Sequence, residues 1–63
     1  MNLTTRQKDV LHALASGLCL KQWSAQVGIS YGVAKLHSEA AQRKIGARTK
    51  AHAVAIAIRQ GVI

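Results

Sequence analysis

The chain has no proline, no phenylalanine, one cysteine, two aromatic side chains (Trp23 and Tyr31) and two carboxylates (Asp9 and Glu39) in 63 residues. Each shortage excludes something. A lone Cys19 rules out an internal disulfide and suits a reducing compartment, where its expected role is that of a small buried hydrophobe. Two carboxylates on separate stretches, with no nucleophile beside a base, assemble no catalytic set, so no enzyme is expected. His12, His37 and His52 are too scattered to join Cys19 in a metal site, and no metal or cofactor is expected. No apolar run approaches the ~18 residues that cross a bilayer, and no charged-then-apolar leader is visible, so we expect a cytoplasmic protein without a membrane partner. Alternating β-branched runs are also missing, which leaves strands little support and points to an all-α fold.

What is present is positive charge on an otherwise apolar chain. Nine Lys and Arg give a net charge of +7 and a pI near 10.6, while 49% of residues are hydrophobic. That is too apolar for a disordered basic tail and too basic for indifference to polyanions, so nucleic acid leads as partner class. A chain this short buries only about 60% of its unfolded surface, and a partner subunit would add to its stability.

Punctuation divides the chain into four helices, at about 5–16, 20–27, 31–45 and 50–60. Gly17, Gly28, Gly46 and Gly61 stand where short helices stop. Thr4 and Gln7 have the spacing of a capping box, and Val10, Leu11, Leu14 and Leu18 follow at helical intervals. Ser30 and Thr49 are the expected caps of the third and fourth helices, whereas Cys19 is a poor cap for the second, which presents Trp23 and Val27 to the core. The joint VGIS is a tight glycine-containing turn between two helices, the second of them basic, which is the arrangement of a helix-turn-helix.

Over nearly its whole length the chain resembles the DNA-binding domain of LuxR-type (GerE-type) regulators. LTTRQKDVLHALASGL is similar to the family opening LTxRExEVLxLLAxGL, and KQWSAQVGIS to KEIAxxLxIS. The stretch VAKLHSEAAQRKIGARTKAHAV matches TVKxHxxNIxxKLGVxxRxxAV at Lys35, His37, Lys44, Gly46, Ala53 and Val54. The ending KAHAVAIAIRQGVI looks most like the quorum-sensing branch. The resemblance implies a four-helix domain of bacterial origin or encoded by a phage in a bacterial host, with helix three in the major groove of double-stranded DNA and helix four as a homodimer contact. Full-length members carry a sensor or receiver domain ahead of this one, so the reading here is of a stand-alone regulator. Where the family has larger aliphatic residues this chain has Ala34 and Ala41, and where it has Ile, helix two has Trp23, so volume lost on one helix is regained on another.

On a 100° wheel Ala34, His37, Ala41 and Ile45 form the core face of helix three, while Gly32, Lys35, Leu36, Glu39 and Arg43 face the groove. The family's base-reading positions match Lys35, Leu36 and Glu39. Lys35 donates to guanine O6 or N7, or else sits solvated near phosphate; Leu36 meets a thymine methyl, or else packs at the core edge. Glu39 has three readings: ion pairs with Lys35 and Arg43, each worth about 0.2–0.5 kcal/mol, an acceptor for a cytosine N4 amino group, or the mark of a fold copy that no longer binds DNA. Lys21, Gln22, Arg43, Lys44, Arg48 and Lys50 form an expected ring of phosphate contacts, joined by Tyr31 and the backbone at Gly32 near the helix N-terminus.

Helix four is apolar nearly all round. The wheel sets Val54 and Ile58 on one face and Ile56 on the opposite side with His52 and Arg59, so the expected dimer contact is His52, Ala55, Ile56 and Arg59. Two functions are consistent with these features. The first is a sequence-specific DNA-binding transcription regulator that dimerises through helix four. The second is an interaction protein of the same fold that forms heterodimers with LuxR-type regulators and modulates them without reading DNA.

Overall fold

Four helices account for most of the chain in the computed structural model, which describes residues 2–63. They are α1 (Thr5–Ala15), α2 (Leu20–Val27), α3 (Tyr31–Ile45) and α4 (Lys50–Arg59). Their starts are set by local chemistry. Thr4 Oγ1 accepts from the Gln7 N–H at 3.2 Å and the Thr4 N–H donates to Gln7 Oε1 at 3.0 Å, which completes the capping box. Ser30 accepts from the Val33 N–H at 3.1 Å and Thr49 from the His52 N–H at 3.0 Å, as the sequence predicts. At α2 the missing cap is supplied from inside the helix, where Gln22 Oε1 accepts the Cys19 N–H at 2.9 Å.

The α2–α3 turn depends on Gly28, which sits in the left-handed region at φ +75° and sends its N–H to the Ser24 carbonyl. A side chain there would be strained even though open space surrounds the position. Ile29 then also bonds Ser24, and Ser30 begins α3 at once, so two residues separate the helix from the next cap.

The core divides into two clusters strung on α1 and α3. One joins Val10, Ala13, Leu20, Trp23 and Ala34, and the other joins Leu3, Leu11, Ala41, Ala53 and Ala57. Trp23 fills the first cluster opposite the fully buried Ala34, which is the expected exchange of volume between α2 and α3, whereas Ala41 lies in the other cluster and is not compensated by the tryptophan. Its indole Nε1 donates to Asp9 Oδ2 at 3.3 Å, and its ring meets the half-buried His37 edge to face with centroids 6.2 Å apart. One of the chain's two carboxylates therefore anchors the one tryptophan.

Several expectations need correction. Cys19 is exposed, because the turn before α2 runs over the surface. Leu18 lies beyond α1 and packs against the tryptophan cluster from the loop. Ser38, absent from the expected core face, is buried on α3 between Ala34 and Ala41, while His37 and Ile45 are only half-buried. On α4 the core is met by Ala53 and Ala57, which places Val54 and Ile56 on its two flanks, both half-buried. Ile58 does not share an inward face with Val54 but stands 56% exposed, and Ile56 is not the outward residue.

Candidate nucleic-acid interface

Burying Ala34, Ser38 and Ala41 turns the opposite side of α3 to solvent. Gly32, Leu36, Glu39 and Arg43 are all exposed along that side, with Lys35 exposed on one flank. Leu36 is 64% exposed and belongs to neither core cluster, so packing at the core edge is not its role. Val33, 41% exposed, stands on the other flank beside Leu36 and was missed by the sequence reading. The wheel that places Leu36 outward also places Val33 60° from it, and that signal was available.

Glu39 has no ion-pair partner, since the one ion pair among the described residues joins Arg6 to Asp9 on α1 at 3.7 Å. Lys35 and Arg43, each four residues away, do not close on the carboxylate. The outward face of α3 thus presents an ammonium, a guanidinium and a carboxylate, none of them ion-paired among the described residues, beside two exposed apolar side chains.

The expected phosphate contacts split into two sets. Lys21, Tyr31 and Lys50 come together with Leu14, Cys19 and Leu20 around one surface cleft of about 360 Å³. Leu20, Tyr31 and Lys50 are the first residues of α2, α3 and α4, so three helix N-termini with their positive dipole ends are near two lysines. An anion is favoured there on both counts. Gln22, at the third position of α2, uses its amide oxygen for capping and keeps its NH₂ for donation.

The remaining cations lie toward the far end of α3. Arg43 and Arg48 are exposed, whereas the Lys44 ammonium donates to the Asn2 carbonyl at 2.9 Å and fastens the segment before α1 to the end of α3. A phosphate at Lys44 would share the ammonium with that carbonyl. Gly32 is exposed and a Cβ built on it would find only Ser30 Oγ, at 4.0 Å, so nothing within the protein requires glycine there.

The outward side of α4 carries Ala51, His52, Ala55, Ile58 and Arg59, all exposed. His52 Nδ1 accepts the Arg48 N–H at 3.1 Å, which ties the turn before α4 to the helix. No helix among the described residues is long and apolar enough to cross a membrane.

Comparison with known proteins agrees with this geometry. A profile described as "Bacterial regulatory proteins, luxR family" matches residues 1–57. Over 58 residues, 92% of its length, the chain is 38% identical to the nitrate/nitrite response regulator protein NarP of Escherichia coli (strain K12), of which it spans 27%. No solved structure matches the chain significantly. With the four-helix fold and its helix-turn-helix in agreement with a profile that covers nearly the same residues, the chain belongs to the luxR family of bacterial regulatory proteins.

Proposed function

We propose that this chain is a sequence-specific DNA-binding transcription regulator that inserts α3 into the major groove and pairs with a second copy through α4. The observation that carries the proposal is the unengaged outward stripe of α3, with a basic cleft beside its N-terminus. Lys35, Leu36 and Glu39 read base edges, while Lys21, Gln22, Tyr31, Gly32 and Lys50 hold phosphates on one side and Arg43 and Arg48 on the other. Lys44 is a weaker member of that set because of its bond to Asn2. The dimer contact is the exposed side of α4, with Ala51, His52, Ala55, Ile58 and Arg59 in place of a contact centred on Ile56. Small alanines permit close approach of two such helices, and Ile58 supplies apolar area that the monomer leaves in water. A quorum-sensing affiliation rests on the ending KAHAVAIAIRQGVI alone, against a relative whose name is that of a response regulator.

A second reading draws on that same α4 surface. An exposed isoleucine among alanines suits pairing with another LuxR-type regulator, which the chain would modulate as a heterodimer. A mobility shift on random duplexes at two salt concentrations separates the two. The regulator binds with an affinity that falls as about the 0.9 power of salt for each phosphate neutralised, and Lys35→Ala or Glu39→Ala changes its sequence preference. Absence of binding by the wild type at low salt overturns the DNA-reading proposal and favours the interaction protein.

A further inference from the structure

Two side chains of opposite chemistry stand next to each other on the outward stripe of α3. Leu36 is, at 64%, the most exposed of the large hydrophobic residues among those described, and Glu39 is exposed without an ion-pair partner. Residues three apart on a helix lie about 5–6 Å from each other at Cβ, so a carboxylate acceptor and a branched apolar group reach outward together.

The four bases differ in how they meet such a pair. Guanine shows two acceptors, which repel a carboxylate, and adenine shows its N6 donor with the N7 acceptor beside it. Thymine suits the leucine with its methyl but turns the O4 acceptor toward the glutamate. Cytosine alone offers a donor, N4, with no acceptor on the same major-groove edge, yet its C5–H leaves the leucine with little to cover. A methyl group on that C5 removes the deficit, since it stands beside the N4 donor as the thymine methyl stands beside O4.

Building on the DNA-reading function proposed above, we infer that Leu36 and Glu39 together recognise 5-methylcytosine, with Glu39 accepting from the N4 amino group and Leu36 covering the C5 methyl. The order of preference at that position is 5-methylcytosine, then cytosine, then thymine. Burial of one methyl group corresponds to about a fourfold gain in affinity per half-site. Replacing the N4 donor with the O4 acceptor corresponds to about a tenfold loss or more. The two residues contribute separable parts, the glutamate choosing cytosine over thymine and the leucine choosing the methylated base.

The test uses two pools of double-stranded oligonucleotides with a random core, one made with cytosine and one with 5-methylcytosine. Selection by the wild type and by Glu39→Gln identifies the cytosine position whose preference depends on the carboxylate. Synthetic duplexes carrying cytosine, 5-methylcytosine or thymine there are then titrated by fluorescence anisotropy. The wild type is expected to bind the methylated duplex about fourfold more tightly than the unmethylated one per half-site. Leu36→Ala is expected to keep the choice of cytosine over thymine and lose the methyl gain, and Glu39→Gln to do the reverse. Both side chains are exposed, so thermal melts of the variants should match the wild type and exclude misfolding as the cause. Equal affinity of the wild type for cytosine and 5-methylcytosine, or a methyl gain that survives Leu36→Ala, overturns the inference. A selected site without a Glu39-dependent cytosine defeats it while leaving the DNA-reading function in place. No enrichment from either pool defeats both.

Discussion

The two halves of the core solve the same problem by different means. Behind the start of α3 one bulky side chain, Trp23, spans from Asp9 on α1 to His37 on α3 and fills the space over Ala34. Behind α4 the contact is distributed over Leu3, Leu11 and three alanines, with the last residues Val62 and Ile63 packed against them. The half that holds the proposed base-reading end of α3 therefore depends on one residue, while the half that holds the proposed dimer helix depends on close approach. Truncation should damage the first and enlargement the second.

Trp23→Ala is the severest expected change, a loss of roughly 3–5 kcal/mol that should leave so small a domain largely unfolded in a thermal melt. A mutant as stable as the wild type would remove the tryptophan from its place as the keystone of that half. In the other half Ala57→Leu should cost about 1–3 kcal/mol, since Ala57 is fully buried and a larger side chain forces α4 away from α1 and α3. If Ala57→Leu melted at the wild-type temperature, the alanine contact would be loosely packed and the contrast between the halves would disappear. Asp9→Ala leaves the buried indole N–H without its acceptor, but the carboxylate is half-exposed and water can take its place, so about 1 kcal/mol is expected.

Surface positions sharpen the comparison from outside. Ile58→Lys should leave the monomer within about 0.5 kcal/mol of wild type and yet weaken self-association, as read by sedimentation and by cooperative binding to paired half-sites. Unchanged association would move the dimer contact off α4. Glu39→Ala should change stability least, within about 0.5 kcal/mol, because no ion pair is lost. A clear destabilisation would mean that the carboxylate pairs with Lys35 or Arg43 in solution after all.

Features controlled by neighbouring residues were legible in the sequence. The Thr4–Gln7 box and the Ser30 and Thr49 caps act over three residues, and Gly28 and Gly46 end their helices through their own backbone freedom at φ +75° and +76°. The outward face of α3 was legible because fifteen residues give the wheel four turns to fix its phase. On α4 ten residues, mostly small and apolar, give no polar stripe to fix it, and the assignment of Ile56 and Ile58 came out reversed. Contacts between distant residues left no trace in any local pattern. The Trp23 bond to Asp9 and the Lys44 bond to Asn2 span 14 and 42 residues, and each claims a charged group that composition alone would assign to solvent or phosphate.

Amide chemical shifts of the isotope-labelled protein, followed as duplex DNA is added, test the proposed base-reading face most directly. The account predicts that the largest perturbations fall on residues 31–43 of α3 and on Lys21 and Lys50 at the cleft, with the outward side of α4 moving only as dimers form. Perturbations confined to α4 or to α1, with the Lys35–Leu36–Glu39 stripe unmoved at saturating DNA, would contradict it.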